Sequence, residues 1–573
     1  MHLFRVWAPF AEEVDVKIGE LPWRLSRVAG GWWEVSVSAA DSGTDYGFVL
    51  NGVDTVLPDP RSLWQPYGVH GLSRLLDQAA FAWTDSEWRA PELKDAVIYE
   101  LHVGTFTPEG TFAAAEERLE YLKALGVTHV ELMPVASFPG LRGWGYDGVD
   151  LFAPQERYGG PDGLKHFVNA AHAQGLAVLL DVVYNHLGPA GNYLARFGPY
   201  FTASHHTPWG DAVNFEDAGS HEVRRFFIDN AKMWLRDYHF DGLRLDAVHA
   251  YMDRSAINFM EQLGVEIRAL ERETGKSYAV IAESDLNDPR VVTERERGGY
   301  GLDAQWSDDF HHALEALVTG ERGGYYADFG SMADLAKALR EVFVYDGRYS
   351  VYRDRVHGHP VEGLPAWRFL GYAQNHDQAG NRAKGERLSA LTTRGRVKIA
   401  AALVMTSPFV PLIFQGEEWA ASTPFLYFTN HEEKLGRRVS EGRKKEFAGF
   451  GWKPEEVPDP QDEATFESSR LKWDEIEEPE HAEILKWYMK LIALRRFVAD
   501  FVSAEVEVDF SEEDRWLVLW RGRFLIAFSM ASSVMTLPFS SDAEMVLKSS
   551  NEVSLDGGSL TLVPDSVAVL RVG

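Results

Sequence analysis

The spacing of apolar and polar positions divides this chain into three parts. As far as about Pro91, short alternating or aromatic-rich segments are separated by Gly, Asp and Pro turns, which predicts an all-β module of sandwich size. From Ala96, apolar strands alternate with amphipathic helices, and after about Ala499 short strands return. We therefore predict three domains: a β-sandwich over residues 1–91, a strand–helix domain over residues 92–498 and a small β domain over residues 499–573. The strands predicted in the outer two are Leu3–Trp7, Val14–Ile18, Trp32–Val37, Tyr46–Leu50, Ala504–Val508, Trp516–Trp520, Phe524–Ser529, Ser559–Val563 and Ser566–Val572.

The middle part contains eight strand–helix units. Near-continuously apolar strands are typical of a parallel sheet covered on both faces, and eight such units close a barrel. We predict an α/β fold, a (β/α)8 barrel; an open doubly wound sheet is disfavoured because no Gly-rich phosphate turn follows the first strand. The predicted strands are Ala96–Val103, Thr128–Pro134, Leu176–Val183, Gly242–Asp246, Ala279–Glu283, Ala304–Ser307, Phe369–Asn375 and Phe409–Phe414, and the helices include Phe112–Leu125, Gly163–Gln174, His221–Tyr238, Ser255–Thr274, Ser331–Phe343, Arg394–Met405 and His481–Arg496.

Three connections in this barrel are long, at about residues 187–220, 344–367 and 426–480. Long loops of a barrel usually shape the cleft at its C-terminal face, so we expect all three to lie over that rim. The charge-rich runs inside the third, such as Arg437–Lys445, are predicted to be solvated surface.

Polar residues gather at the predicted strand ends, which meet on one rim of a parallel barrel. Five strands contribute: His102 from the first; Asp181, Asn185 and His186 from the third; Arg244 and Asp246 from the fourth; Glu283 and Asp285 from the fifth; His376 and Asp377 from the seventh. Ionisable groups from five strands converging on one rim indicate an active site rather than isolated salt bridges.

Paired carboxylates facing one cleft are what hydrolysis of a glycosidic bond requires. Asp246 lies two residues from Arg244 on the same face, and this cation is expected to keep it ionised. Glu283 ends an apolar run, where desolvation is expected to raise its pKa and suit it to a general acid. Asp181, His186 and Asp246 could also ligate a cation, but no HExxH spacing occurs, so we predict neither a catalytic metal nor a cofactor.

Composition limits the kinds of partner that the protein is expected to bind and the compartment in which it is expected to work. The net charge is 57 − 86 = −29, which disfavours nucleic acid and anionic membrane surfaces. The absence of cysteine excludes disulfides, thiolate zinc sites and Cys nucleophiles. With neither an apolar run long enough for a membrane nor a basic-then-apolar leader, we expect a cytoplasmic protein, either a monomer or a homodimer.

Four ordered stretches resemble the signature regions of the α-amylase superfamily: Asp181–His186, Gly242–Asp246, Ala282–Asp285 and Asn375–Asp377. This resemblance implies retention of the anomeric configuration, with Asp246 as nucleophile, Glu283 as general acid/base and Asp377 as transition-state stabiliser. It also implies that His186, Arg244 and His376 hold the sugar over Tyr146, and we add Asp181 and Asn185 as further substrate contacts.

Within that superfamily the chain is most similar to maltooligosyltrehalose trehalohydrolases, over essentially its whole length. The resemblance is carried by Tyr99–Gly110, Ala282–Arg290, Asp303–His312, Leu317–Arg322, Gln374–Gln378 and Glu441–Glu446. It implies cleavage of the α-1,4 bond next to a terminal trehalose, which releases trehalose and a maltooligosaccharide, and a glucan-binding-like role for the N-terminal sandwich. An α-glucan branching or debranching enzyme is one alternative; a non-catalytic glycan-binding protein is a more distant one.

Several loop residues remain open to more than one interpretation. Trp209, Tyr325, Tyr326, Tyr352 and Arg353 are candidates for a trehalose-side pocket, although each could equally serve packing. The pair His311 and His312 is predicted to be a polar strand-to-helix junction without a ligand role.

Overall fold

A computed structural model of the chain describes residues 1–448, 452–503, 505–540 and 542–573. Its centre is a closed barrel of eight parallel strands in which each strand pairs with the next along the chain and the eighth pairs with the first, as predicted. Seven of the eight strands end one or more residues earlier than predicted, and the eighth ends at Phe414 as predicted, so most polar side chains of the rim stand on the loops that begin there. The strands are Ile98–Leu101, His129–Leu132, Ala177–Val182, Gly242–Leu245, Ala279–Ala282, Ala304–Trp306, Phe369–Gly371 and Val410–Phe414.

The helices around the barrel follow the predicted order with three differences. The predicted helix Phe112–Leu125 is two helices, Phe112–Glu116 and Leu119–Leu125. The one predicted from Ser255 begins at Phe259, because the Asn258 side chain caps it by accepting from the Met260 N–H. The other helices that match predictions are Gly160–Gln174, Ser220–Asp237, Met332–Glu341, Arg394–Thr406 and Pro479–Phe497.

The third difference is a helix that the sequence analysis missed, Asp308–Thr319, which follows the sixth barrel strand. Ten of its residues are buried, including the four polar residues Asp309, His311, His312 and Glu315. His311 and His312 therefore lie inside a buried helix, and the prediction of a polar strand-to-helix junction is wrong.

Antiparallel sheets flank the barrel on both sides in sequence. The first residues form a three-stranded sheet of His2–Trp7, Trp32–Val37 and Ser26–Arg27 and a four-stranded sheet of Leu21–Arg24, Val14–Ile18, Asp45–Leu50 and Ser73–Arg74. The last residues form a five-stranded sheet of Val506–Ser511, Trp516–Arg521, Phe524–Ser529, Ser566–Arg571 and Glu544–Lys548 and a three-stranded sheet of Met535–Pro538, Ser559–Leu562 and Ser554–Asp556. Ala504, where one predicted strand starts, lies outside the described residues.

The buried side chain of His172 joins Asp85, in the segment between the first sheets and the barrel, to Asp241, which precedes the fourth barrel strand. His172 donates or accepts at both ring nitrogens, to Asp85 at 2.7 Å and to Asp241 at 2.9 Å. Trp88 stacks on the His172 ring at 4.7 Å, and its indole N–H donates to Asp241. His239 is a further partner of Asp85, at 2.8 Å. We call these five residues the latch.

Each long connection carries secondary structure of its own. The first holds a hairpin, Phe201–Thr207 with Gly210–Val213, and the second holds another, Asp346–Ser350 with Arg355–Gly358. The third contains the helices Glu433–Ala448 and Glu463–Ser468, and residues 449–451 of this loop lie outside the described part. None of the described helices is both long enough and apolar enough to cross a membrane.

Candidate active site

Arg244 is the centre of the rim, because its guanidinium bridges three carboxylates. Nη1 donates to Asp181 at 2.7 Å and to Asp246 at 2.9 Å, and Nη2 donates to Glu283 at 2.8 Å. The arginine side chain is fully buried and lies over the Trp306 ring, with the guanidinium carbon 4.2 Å from the ring centroid. One rigid guanidinium therefore holds Asp181, Asp246 and Glu283, three of the residues predicted for catalysis and binding.

The backbone places these groups by two local features. At Gly242, which opens the fourth strand, an added Cβ would lie 2.4 Å from the Ala279 carbonyl oxygen, so only glycine permits this close strand pairing. Ala247 follows Asp246 with a φ of 41°, in the left-handed region. This turn directs the Ala247 N–H to the Glu283 carboxylate at 2.8 Å.

A second chain of hydrogen bonds joins Tyr146, Asp181 and His376. The Tyr146 hydroxyl donates to Asp181 at 2.5 Å and lies 2.7 Å from Nε2 of His376, whose ring stacks on the tyrosine at 5.3 Å. Nδ1 of His376 donates to Glu100 at 2.5 Å. Burial opposes ionisation of His376, but Glu100 and Asp377 together raise its pKa to about 9. His376 is consequently an imidazolium that donates from both nitrogens.

The pKa order of the two central carboxylates is the reverse of the expectation. Burial raises the pKa of Asp246, and Glu283 and other nearby carboxylates add to the rise, although Arg244 opposes it. Burial also acts to raise the pKa of Glu283, but Arg244 and the Ala247 N–H outweigh it and the pKa is lowered. Burial similarly raises the pKa of Asp377. The two pKa values shift in opposite directions because Glu283 receives two strong donors and Asp246 receives one.

Buried polar atoms without partners mark the floor of the site. Both amide atoms of Asn185, Nδ1 of His186 and Oδ1 of Asp181 are buried and have no hydrogen-bond partner among the residues that the structure describes. Nε2 of His186 lies 3.0 Å from the Tyr146 carbonyl, and Trp209 stacks flat on the imidazole, at 4.8 Å and 7°. Buried groups normally find partners, so these are suited to a ligand rich in hydroxyls.

A cavity of about 250 Å³ opens beside Glu283 and Asp377. The predicted loop residues Tyr325, Tyr352 and Arg353 line it, and Arg353 donates to Asp285 at 2.7 Å. The cavity therefore lies on one side of the central carboxylates and is walled by the second rim hairpin.

Some predicted residues lie elsewhere. His102 is buried and bonds to Thr105 and to the Gly143 carbonyl, and burial lowers its pKa to about 4. Tyr326 faces His311 in the core, and Trp209 lies over His186 without lining the cavity.

Sequence reasoning missed three residues of this region: Glu100, Asp308 and His312. Asp308 stands two residues beyond the end of the sixth strand, and the last two line the cavity. The rule that found the other strand-end residues, applied to the sixth strand, would have found Asp308.

The arrangement does not favour a cation among the predicted oxygen ligands. The described residues contain no group of three or more His, Asp or Glu side chains placed to hold a metal ion. The Arg244 guanidinium occupies the position between Asp181 and Asp246 where a cation would be held.

The chain is similar in sequence and in fold to several known proteins. Residues 79–205 match the family described as Alpha amylase, catalytic domain. The chain is 47% identical to the malto-oligosyltrehalose trehalohydrolase of Rhizobium sp. (strain M-11), over 99% of this chain and 97% of the relative. It is 51% identical to that of Arthrobacter ramosus, over 88% and 89%. The crystal structure of a putative alpha amylase from Salmonella typhimurium superposes with a TM-score of 0.91 at 36% identity, over 99% and 97% of the two chains.

Proposed function

The chain belongs to the malto-oligosyltrehalose trehalohydrolase family, and from this we infer the reaction that the site performs. The protein is a glycoside hydrolase that cleaves the α-1,4-glucosidic bond next to the terminal trehalose of maltooligosyltrehalose. It releases trehalose and a shortened maltooligosaccharide. Besides the similarity to these relatives, one structural observation supports this reaction: a single guanidinium bridges Asp246 and Glu283 beside a cavity that can take a leaving sugar.

We propose that Asp246 is the nucleophile and Glu283 the general acid and base. Both carboxylates accept from the Arg244 guanidinium and so belong to one cleft, as hydrolysis of a glycosidic bond requires, and the resemblance to the α-amylase superfamily implies the retaining form of that reaction. In the first step Asp246 bonds to the anomeric carbon while Glu283 protonates the departing trehalose oxygen. In the second step Glu283 takes a proton from water, which then displaces Asp246.

As the general acid, Glu283 must carry a proton when the substrate is bound, whereas its pKa is lowered in the free site. A neutral sugar over the site excludes water and competes for the Arg244 donors, and both effects raise the pKa of Glu283. Asp246, whose pKa is raised in the free site by burial and by the neighbouring carboxylates, attacks as the carboxylate. We propose that substrate binding shifts the proton affinities of these two interacting carboxylates in opposite directions, so that Glu283 is the one that holds the proton.

The remaining predicted residues are proposed to bind the sugar ring that is attacked. Tyr146 offers its ring face, the unpartnered atoms of Asn185 and His186 offer hydrogen bonds, and the imidazolium of His376 holds the Tyr146 hydroxyl in place. Asp377, whose side chain is one-third exposed, faces the cavity and is proposed to accept from sugar hydroxyls as charge develops.

The test is to give the pure protein maltopentaosyl-trehalose and plain maltoheptaose side by side and to identify the released sugars. We expect rapid release of trehalose and much slower cleavage of maltoheptaose. Equal cleavage of both would contradict the trehalose specificity. Formation or cleavage of α-1,6 bonds would favour a branching or debranching enzyme, and binding without any cleavage would favour a glycan-binding protein.

We further propose a cytoplasmic monomer or homodimer with domains at residues 1–91, 92–498 and 499–573. The net charge of −29 supports a freely dissolved protein with a neutral substrate rather than one bound to nucleic acid. Light scattering after size exclusion measures the oligomeric state, and limited proteolysis tests whether cuts gather at the two proposed boundaries.

A further inference from the structure

We propose that Asp308 and His312 recognise the disaccharide on the leaving-group side of the site, by hydrogen bonds to its hydroxyl groups. Both residues lie on the helix Asp308–Thr319 and line the cavity beside Glu283 and Asp377. They are four residues apart, so they project from the same helix face, one turn apart. This inference rests on the proposed function and names the residues that read the trehalose unit.

Asp308 is held in place from behind and faces the cavity. Its carboxyl accepts from the Tyr372 hydroxyl, which is fully buried on the seventh strand segment. Asp308 itself is partly exposed, and the exposed part is in the cavity. Burial, together with the carboxylates of Glu283 and Asp285, raises the pKa of Asp308 to about 8, although the Tyr372 hydrogen bond opposes this. At neutral pH the side chain is therefore a carboxylic acid, which can donate as well as accept.

The side chain of His312 forms no hydrogen bond within the described part of the chain, although its ring contacts those of Tyr325, Tyr326 and Phe329. Its Nδ1 is buried and makes no hydrogen bond, and the whole residue is only 8% exposed. Burial lowers its pKa well below the usual range, and His311 and Arg353 act in the same direction. A neutral imidazole offers one donor and one acceptor, which is what a sugar hydroxyl needs. An unpartnered imidazole in a cavity wall is costly unless a ligand completes it.

The neighbouring residues show what purely structural groups look like on this helix. The Asp309 carboxylate accepts from the Val344 and Tyr345 N–H groups, both at 2.7 Å, and from Asn287 at 2.9 Å. His311 is bonded at both nitrogens, to the Ala373 carbonyl and to the Tyr326 hydroxyl. The hydrogen-bonding groups of Asp309 and His311 therefore find partners within the fold, whereas Asp308 and His312 line the cavity.

The experiment measures kcat/KM for maltopentaosyl-trehalose and for maltoheptaose and takes their ratio. In D308A and H312A we expect that ratio to fall about tenfold, equivalent to about 1.4 kcal/mol, because each loses a hydrogen bond that reads the leaving disaccharide. Inhibition by added trehalose should weaken by a similar factor. In D308N we expect the ratio to stay within about threefold of the wild type, because the amide keeps one donor and one acceptor.

The pH dependence gives a second readout. Groups facing Asp308 are Tyr372, Glu283, Asp285 and the adjacent Asp309. The wild-type ratio should decline above pH 8, where Asp308 loses the proton it donates, and D308N should lack this decline.

D309N is the matched control, because the partners of Asp309 are two backbone N–H groups and the Asn287 side chain, all outside the cavity: we expect a lower Tm and an unchanged ratio. If H312A does not fold, H312N replaces it and the same ratio is measured. An unchanged ratio in folded D308A and H312A, with a wild type that favours maltopentaosyl-trehalose, overturns this inference alone. A wild-type ratio near one overturns the proposed function instead.

Discussion

Glu283→Gln is the substitution that best separates the two proposed carboxylate roles. The amide keeps an oxygen that can accept from Arg244 and from the Ala247 N–H, the two donors that hold Glu283 at 2.8 Å each. Fold and substrate binding should therefore survive, and only proton transfer is lost. General acid–base catalysis contributes roughly 10²–10⁴-fold, so kcat on maltooligosyltrehalose should fall by about that factor. At about 1.36 kcal/mol per tenfold, this corresponds to roughly 3–5 kcal/mol of activation free energy.

The assay adds a substrate whose departure needs no proton, an α-maltooligosyl fluoride. Glu283→Gln should release the first equivalent of fluoride at close to the wild-type rate and then stall, because water must attack the glycosyl–Asp246 ester without a base. Mass spectrometry of the stalled protein should find the sugar on the peptide that contains Asp246. Asp246→Asn should show no burst with either substrate.

The pKa order of the free site makes the opposite assignment worth excluding, since Asp246 rather than Glu283 has the raised pKa. Added azide distinguishes the two. Rescue of Glu283→Gln through the covalent intermediate yields the α-azide, whereas direct attack in Asp246→Asn yields the β-azide. A burst in Asp246→Asn, or an α-azide from it, would refute the proposed roles.

Three further predictions concern the frame of the site. Arg244→Met should lower the free energy of unfolding by about 3–5 kcal/mol, and more at pH 8 than at pH 5, because the stranded carboxylates must then keep their protons; urea titrations at the two pH values test this. Gly242→Ala should cost about 1–3 kcal/mol and lower kcat, because its Cβ would lie 2.4 Å from a carbonyl oxygen, whereas Gly323→Ala, with open space at its Cβ, should change neither. Hydrogen bonds to Asp241 and Asp85 raise the pKa of His172 against the effect of burial, so its contribution to stability is complete below the unfolded pKa of about 6.5 and is lost as pH rises through the folded value. The difference in Tm between wild type and His172→Gln should therefore shrink as the pH rises. A difference that stays constant with pH would contradict the raised pKa of His172 in the latch.

The barrel was predictable because its strands carry their signal locally. The run Ala279–Ala282 is apolar and short, and the acid that follows it marks where the strand leaves the sheet. The same reasoning placed Asp246 and Arg244 together, since alternate residues of a strand share a face. The helix Asp308–Thr319 was missed although its apolar residues Phe310, Ala313, Leu314, Leu317 and Val318 follow the helical period, because His311 and His312 were interpreted as a polar junction rather than as part of its first turns.

The pKa order could not be predicted from the sequence for a different reason. The expectation for Glu283 used only the apolar residues before it, which do desolvate it. What decides the direction is the position of two donors from another strand, Arg244 and the Ala247 N–H, and that position depends on barrel register and on one left-handed turn. Desolvation can be estimated from a neighbouring run of residues, but a hydrogen bond across strands requires the fold.

The charge balance of the rim explains why the substrate must be neutral. Asp181, Asp246 and Glu283 meet one guanidinium, and Asp377 adjoins the His376 imidazolium, so four acidic side chains face two basic ones. An anionic substrate would add to this excess in a buried region where charges are weakly screened. A neutral glucan instead supplies hydroxyl groups, which can both donate to the carboxylates and accept from the cations. The oxocarbenium character that develops at the anomeric carbon is then the one positive charge that the excess of carboxylates is placed to stabilise.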